Sequence, residues 1–164
     1  MRTLRRATVA DAAELTRLRG HMHRSMGDEP TPGWAQRCED TLARRLPTES
    51  FVAFVVEVDG RLVSGGCGWL EEHLPSPYQL DARRGHIASM STDPSARRQG
   101  HGRAVLAALM AWFAERDIPR IDLRATPDGL PLYTAAGFRV LGGATMAWSA
   151  PGTRPGMGGS DPAG

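Results

Sequence analysis

The chain has no lysine and no asparagine among its 164 residues, and all 20 of its basic residues are arginines. The lack of lysine excludes the phosphate-binding loop GxxxxGK[ST] and any catalysis through a lysine Schiff base. Isoleucine is also scarce. Because lysine, asparagine and isoleucine use A- or AT-rich codons, a GC-rich genome explains this composition most simply. The arginine content is therefore not by itself evidence for an anionic partner.

Long hydrophobic runs and cysteine motifs are missing as well. No run approaches the roughly 18 apolar residues of a membrane span. Residues 1–15 have no apolar signal-peptide centre, so we expect a cytoplasmic location and no membrane contact. Cys38 and Cys67 lie outside any CxxC motif and are expected to be reduced, packed thiols. His21 and His23 point to different faces of a predicted helix, so no metal site is expected.

Length and charge predict a single globular domain. A chain of 164 residues is long enough to bury a core, and we expect the domain to span residues 1–150. Residues 151–164 have almost nothing to bury and are predicted to form a disordered tail. The net charge is only +2, and the arginines are scattered rather than gathered in an aromatic-rich basic stripe. This distribution argues against nucleic-acid binding.

Hydrophobic periodicity predicts the order β-α-α-β-β-β-α-β-α-β-β. Hairpins on one side and a βαβ crossover in the middle indicate an α+β fold, with a mixed sheet covered by helices. The predicted elements are a strand at 2–7, a helix capped near Thr8 or Asp11 and ending near 25, a helix at 34–46, a hairpin at 51–70 turning at Asp59-Gly60, a strand at 86–92, a helix at 101–116, a strand at 120–125, a short helix closed by Gly137, and two last strands within 138–148 divided at Gly142-Gly143.

In the stretch RRQGHGRAVL, residues 97–106, two glycines stand at the start of the helix that follows the fourth predicted strand. A helix start offers unpaired backbone N–H groups and about half a positive charge, and phosphate oxygens satisfy both. Glycine lets a phosphate approach the backbone because it has no Cβ. The amides from Arg98 to Arg103 are therefore predicted to hold a pyrophosphate, with Arg97 or Arg103 pairing with it directly. The alternative is a plain helix cap with solvated arginines.

Two segments resemble the GNAT superfamily of acyl-CoA-dependent N-acyltransferases. Arg97-x-x-Gly100-x-Gly102 is similar to the family's cofactor motif, and Pro94 stands three residues ahead of it. PLYTAAGF, residues 131–138, resembles the family's second signature. The resemblance implies a mostly antiparallel sheet that splays between two parallel middle strands, about four flanking helices, and acetyl-CoA as co-substrate without a metal.

The resemblance also implies where the cofactor lies. The pantetheine arm would follow the strand at 86–92, where a bulge would aim an N–H group at the thioester oxygen. Many family members have a cofactor-contacting asparagine at the position of Thr126. The threonine is the one departure of this chain from the family pattern. The implied cofactor-binding residues are Met90, Ser91, Thr92, Arg97, Arg98, Gln99, Gly100, His101, Gly102, Arg103 and Thr126.

The resemblance assigns the acid-base roles in transferring an acetyl group to an amine. Tyr133 matches the tyrosine that reaches the cofactor sulfur and is the candidate acid; the alternative is a tyrosine that anchors the short helix. His86 stands where some members have a catalytic glutamate, and alternation places it on one strand face with Ala88 and Met90. An imidazole titrates in the range that suits a base at neutral pH. A solvated histidine is the other reading, and the segment Glu71-Glu72-His73 offers alternative bases.

The acceptor pocket is expected from residues 21–34 and the loop at 71–84. Asp28 and Glu29 are candidates to attract a cationic amine, and Trp34 is a candidate to pack on it; solvated acids and a core tryptophan are the alternative. The expected partner is a small-molecule primary amine, and a homodimer is possible because dimers are common in proteins resembling this one. A catalytically inactive acyl-CoA-binding regulatory module is the alternative function.

Overall fold

A computed structural model of the protein describes residues 1–153, so most of the predicted tail at 151–164 lies outside the described residues. The strands are β1 (Arg2–Arg6), β2 (Phe51–Val58), β3 (Arg61–Glu72), β4 (Arg83–Thr92) and β5 (Ile121–Leu123). The helices are α1 (Ala12–Ser25), α2 (Trp34–Arg45), α3 (His101–Ala114) and α4 (Leu130–Ala135). The predicted α+β class is confirmed, and most predicted boundaries lie within three residues of these.

The five strands form one sheet in the order β1-β2-β3-β4-β5. The first three pairings are antiparallel, and only β4 and β5 run parallel. The predicted hairpin between β2 and β3 is confirmed, since Val58 pairs with Arg61 across Asp59 and Gly60. Both turn residues have positive φ, +48° at Asp59 and +80° at Gly60, as a two-residue turn of this kind requires.

The sheet buries apolar side chains on both faces. One face packs against α3, whose Val105, Leu109 and Phe113 are fully buried beneath it. The other face packs against α1 and α2 through a second cluster that includes Leu15 and Leu42. Both faces are therefore largely covered, and the parts of the sheet that a ligand reaches most easily are the strand ends and the two edges, at β1 and at β4–β5.

Glycines on β3 and β4 let α3 approach the sheet closely. A Cβ at Gly85 would lie 2.5 Å from Cε1 of Phe113, and a Cβ at Gly68 would lie 3.0 Å from its Cζ. Real Cβ atoms essentially never lie as close as 2.5 Å to a ring atom, so Gly85 needs glycine, whereas a Cβ at Gly68 would require the Phe113 ring to shift by a few tenths of an ångström. The close packing fixes α3, and with it the glycine turn at its start, against β3 and β4.

The prediction of two last strands is wrong for the described residues, because residues 138–153 contain no strand. Val140 and Trp148 are each 84% exposed, and Gly143 adopts a φ of +107°. Alternating apolar residues form a strand only against a partner, and the three-residue β5 offers a short edge. The family resemblance implies a parallel pair of strands in the middle of the sheet. In the described sheet the parallel pair, β4 and β5, lies at the edge instead.

Candidate active site

Strand β4 carries a bulge close to the point where it separates from β5. Cys67 pairs with Ala88 and Gly65 pairs with Ser91, so Ser89 and Met90 together face a single residue of β3. Ser89 has a φ of +59°, a left-handed conformation that a bulge can impose on a non-glycine residue. The bulge expected from the family resemblance is therefore present.

The parallel pairing of β4 and β5 ends just before this bulge. It comprises Gly85 with Ile121, His86 with Asp122 and Ile87 with Leu123. From Ala88 to Thr92 the β4 edge has no strand partner on that side within residues 1–153. Backbone N–H and C=O groups on that edge can pair with an extended ligand. This is where the pantetheine arm was expected.

The bulge also corrects one prediction about side-chain directions. A Cβ at Gly66 would meet Sδ of Met90 and lie 3.1 Å from Val105, so Met90 faces α3. His86 instead stacks against Trp69, which packs in the cluster on the α1–α2 side. His86 and Met90 therefore lie on opposite faces, because an inserted residue reverses the alternation beyond it.

The glycine turn presents free backbone donors at the start of α3. Gly100 is the N-cap, with a φ of +77°. In the part of the chain that the structure describes, no backbone hydrogen bond outside the helices and strands is donated by the amides of Gly100, His101, Gly102 or Arg103. Such amides, aligned with the positive end of the helix dipole, suit a diphosphate.

The side chains around the turn leave its surface accessible. Arg97, Arg98, Gln99 and Arg103 are exposed. A Cβ at Gly102 would lie 3.6 Å from Oγ1 of Thr92 and 3.8 Å from Leu132. The ends of β4, α3 and α4 therefore meet at Gly102, which brings the two sequence signatures into one site.

A salt bridge that sequence analysis missed anchors the turn from beneath. Asp93, whose side chain is 3% exposed, accepts a hydrogen bond from Nη1 of Arg17 at 2.8 Å and lies 3.3 Å from Nη2 of Arg61. Arg17 also donates to the carbonyl of Leu62 at 2.8 Å. Helix α1 and strand β3 are thus tied to the residue that begins the turn. An aspartate before a proline signals a turn, but not a partner 76 residues away.

His101 contributes its backbone to the turn, but its side chain is buried on the sheet side of α3. The residue is 4% exposed, and neither Nδ1 nor Nε2 has a hydrogen-bond partner among the described residues. Burial, and secondarily the charge of Arg2, lower the pKa of His101 below its ordinary value. An unpaired buried imidazole costs about 1–3 kcal/mol of stability.

Replacing this imidazole is expected to stabilise the protein. His101→Leu should raise the free energy of unfolding by about 1–2 kcal/mol near pH 7.5, because it removes two unsatisfied buried nitrogens. The lowered pKa means that the unfolded chain binds more protons than the folded chain below about pH 6.5, so stability falls on acidification through that range. The variant should lose that part of the acid sensitivity.

Urea unfolding at about pH 7.5 and about pH 5.5 measures both effects, and His21→Leu on the half-buried surface of α1 serves as the control. A destabilised His101→Leu protein would mean that the imidazole has a favourable partner, and would contradict this description.

Helix α4 brings Tyr133 beside the turn. Tyr133 is 8% exposed, and its ring packs edge-on against Phe138 at 6.0 Å. Burial raises the pKa of its phenol, so the hydroxyl stays protonated at neutral pH. It makes no hydrogen bond to any described residue, which leaves it able to donate to a ligand. Thr126 is exposed, and its carbonyl accepts hydrogen bonds from the amides of Gly129 and Leu130 in the turn that precedes α4.

His86 belongs to a linked group of side chains on the α1–α2 face of the sheet. Its ring stacks on Trp69 at 4.6 Å, and its Nδ1 lies 3.9 Å from Oε1 of Glu71. Trp69 donates its indole N–H to the same oxygen at 2.9 Å. His73 contacts the other oxygen of Glu71 at 3.2 Å. These hydrogen bonds, that of Trp69 first, lower the pKa of Glu71, which is therefore ionised.

The predicted acceptor residues lie together near the C-terminal end of α1, but two of them, Asp28 and Trp34, already contact other residues of the protein. Asp28 contacts Nδ1 of His23 at 2.7 Å. The indole of Trp34 packs against Gly20, whose Cβ would lie 3.2 Å from it, and lies edge-on to His23 at 6.4 Å. Glu29 is exposed. The Trp34 ring thus closes the gap between α1 and α2, and Glu29 is the carboxylate that a cationic ligand reaches most easily.

Within residues 1–153, no group of three or more histidine, cysteine or acidic side chains is arranged to hold a metal ion. No helix in the same range is long and apolar enough to cross a membrane. Cys38 and Cys67 are both free thiols, and burial raises the pKa of Cys67 to about 12.

Comparison with known families decides the classification. The model of the acetyltransferase (GNAT) family matches residues 19–138, which include the glycine turn, the bulge and Tyr133. The chain belongs to the GNAT acetyltransferase family. This membership confirms the resemblance drawn from the two sequence signatures and identifies the protein as an acyltransferase by family.

Solved GNAT structures share the fold over most of this chain. A GCN5-related N-acetyltransferase from Ralstonia eutropha JMP134 is 29% identical, with a TM-score of 0.81 over 90% of this chain and 99% of that one. A predicted acetyltransferase from Clostridium acetobutylicum, crystallised with acetyl-CoA, is 23% identical, with a TM-score of 0.82 over 90% and 96% of the two chains. The second similarity, at this identity, supports the fold alone.

A curated relative matches over a shorter segment. Mycothiol acetyltransferase from Amycolatopsis mediterranei (strain U-32) is 32% identical over 89 residues. That segment covers 52% of this chain and only 29% of the length of the relative. The match therefore adds to the evidence for the family but does not transfer a substrate.

Proposed function

We propose that this GNAT protein transfers the acetyl group of acetyl-CoA to a primary amine of a small molecule, directly within a ternary complex. The observation that carries the proposal is the combination of four unpaired amides at the start of α3 with an unpaired stretch of β4 beside a bulge. A diphosphate fits the first and an extended pantetheine arm fits the second. Acetyl-CoA carries both groups on one molecule.

The residues of the site are chemically suited to that co-substrate. The amides from Arg98 to Arg103 would hold the diphosphate, while Arg97 and Arg103 stand exposed at its rim. The β4 backbone at Met90, Ser91 and Thr92 would pair with the pantetheine arm. Ser91 keeps that part of the strand in place, since its hydroxyl donates to the carbonyl of Leu18 at 2.8 Å. When bound, acetyl-CoA supplies an activated acetyl thioester.

The protein must deprotonate the amine and protonate the departing thiolate. An alkyl ammonium titrates near pH 10.4, so presenting it as the neutral amine at pH 7 costs about 4–5 kcal/mol. His86, with its side chain 26% exposed on the α1–α2 face, is proposed to take that proton directly or through water. Tyr133, kept protonated by burial, is proposed to donate to the sulfur.

Tyr133→Phe should lower turnover about ten-fold or more while CoA affinity and stability stay nearly unchanged. The reason is that the hydroxyl makes no hydrogen bond to any of residues 1–153, so its loss removes only a contact to the ligand. Steady-state kinetics, calorimetric CoA binding and urea unfolding measure the three quantities. Turnover equal to that of the wild type would leave Tyr133 with a packing role against Phe138.

His86→Ala should flatten the acid limb of the pH–rate profile for kcat/KM, because a protonated imidazole cannot accept the proton of the amine. The profile should be recorded with saturating acetyl-CoA, so that cofactor binding does not limit the rate. A variant whose acid limb coincides with that of the wild type would remove His86 as the base.

A panel of amines identifies the acceptor and tests the proposed function. Aminoglycoside antibiotics, peptide N-termini and other small primary amines would be scored by release of free thiol from acetyl-CoA. Turnover of at least one small amine supports the proposal. CoA binding without turnover of any amine would favour the catalytically inactive regulatory module instead.

A further inference from the structure

Two carboxylates, Glu71 and Glu72, lie at the end of β3 beside the β4 residue proposed as the base, and they are not equivalent. Glu71 and Glu72 are neighbours at the end of β3, but alternation sends their side chains to opposite faces. Only Glu71 approaches His86, with Oε1 3.9 Å from Nδ1. That distance is beyond a direct hydrogen bond, so the bond proposed below requires a bridging water or a small side-chain rotation.

We propose that Glu71 is a positioning residue for His86: its carboxylate accepts a hydrogen bond from Nδ1–H and so leaves Nε2 free to take the proton of the amine. This role rests on the proposed function, in which His86 is the base. Glu71 and His86 lie on two adjacent antiparallel strands, so β3 supplies the carboxylate and β4 supplies the imidazole. A second group that fixes the tautomer and orientation of a histidine is a recurring requirement of proton transfer.

Trp69 fixes both members of this pair at once. It lies directly opposite His86 in the β3–β4 register, and its ring stacks on the imidazole at an interplanar angle of 30°. Its indole N–H donates to Oε1 of Glu71 at 2.9 Å. A single rigid side chain therefore sets the plane of the imidazole and the position of the carboxylate.

Trp69 is itself held from the other side. Its ring stacks on Phe51 at 6.2 Å with an interplanar angle of 13°. The guanidinium of Arg45, from α2, lies 4.9 Å from the Trp69 ring and 4.4 Å from the Phe51 ring. A side chain locked in this way holds functional groups within the narrow limits that catalysis needs.

The other charged groups near His86 have partners of their own. On β4, Arg84 lies 3.7 Å from Asp122 of β5, the residue that pairs with His86 in the sheet. Asp122 in turn lies 2.9 Å from Arg120. His73 lies on the far oxygen of Glu71, and Arg45 lies over Trp69. Glu71 is therefore the ionised group that interacts with Nδ1 of His86.

The hydrogen-bonded tautomer of His86 tests this role without any substrate. Long-range ¹H–¹⁵N NMR of the wild-type protein at about pH 8 should show the Nδ1–H tautomer, whereas a free neutral imidazole favours Nε2–H. Glu71→Gln should switch His86 to the Nε2–H tautomer, because an amide N–H can donate to Nδ1. The indole bond to Trp69 can persist, since the amide keeps a carbonyl acceptor.

Steady-state kinetics of the Glu71→Gln variant give a second test. Glu71→Gln should lower kcat about ten-fold or more with little change in the KM for acetyl-CoA, while Glu115→Gln, at an exposed carboxylate just after α3, should leave both unchanged. A wild-type Nε2–H tautomer, or an unchanged kcat in Glu71→Gln, would overturn the role of Glu71. A wild-type protein that binds no CoA and turns over no amine would instead remove the proposed function, and this role with it.

Discussion

Gly100→Val is expected to reduce CoA affinity at least about 100-fold while the protein stays folded. The N-cap φ of +77° is strained for any residue with a Cβ, and most of all for a β-branched one. Relieving that strain rotates the amides that face the ligand. Hydrogen bonds to charged groups contribute about 1.5–3 kcal/mol each, so losing two of them corresponds to the stated factor.

The structure offers a matched control for this variant. Gly33 is the N-cap of α2, with a φ of +80°, and a Cβ built on either glycine meets nothing within 4 Å. Gly33→Val should therefore bring similar backbone strain and similar loss of stability, but leave CoA affinity unchanged. Calorimetric titration and urea unfolding of both variants separate the two effects. Equal CoA affinity in Gly100→Val and wild type would show that the diphosphate lies elsewhere.

Asp93→Asn is expected to lower the free energy of unfolding by about 3 kcal/mol. Removing one member of a buried ion pair leaves the other charge unpaired, which costs about 3–5 kcal/mol. The lower end applies here because Arg17 is 26% exposed and keeps its salt bridge to Glu14 at 2.9 Å. Since Asp93 lies four residues before Arg97, where the glycine turn begins, CoA affinity should fall as well.

Urea unfolding measures the stability change, and Asp81→Asn is the control because Asp81 pairs with Arg83 at the surface. That control should behave like the wild type. The variant Arg17→Met, alone and combined with Asp93→Asn, closes a double-mutant cycle. If the two effects add without coupling, the Arg17–Asp93 pair does not anchor the turn.

Local sequence patterns were sufficient for the parts of the site that lie on one continuous segment. The glycine turn could be predicted because Gly100 and Gly102 precede an apolar helical stripe, and helix starts bind anions for reasons that need no tertiary information. The hairpin at Asp59-Gly60 could be predicted from its two residues alone. Tyr133 followed from the family signature rather than from any physical property of the segment.

Long-range pairing limited the rest. The contact of Trp69 with His86 depends on the β3–β4 register, and the direction of Met90 depends on the bulge at Ser89, which a strictly alternating pattern does not reveal. The Arg17–Asp93 bridge joins residues that only the fold brings together. The last strands were predicted from alternation in residues 138–148, but strand formation depends on a partner edge, and the described β5 provides three residues.

The most direct measurement is a calorimetric comparison of CoA with pantetheine on the pure wild-type protein. If the amides at the start of α3 hold the diphosphate, CoA should bind with measurable heat, and pantetheine, which lacks the diphosphate and the nucleotide, should bind far more weakly. Absence of heat from CoA at millimolar concentration, or equal affinity for the two compounds, would contradict the assignment of the glycine turn.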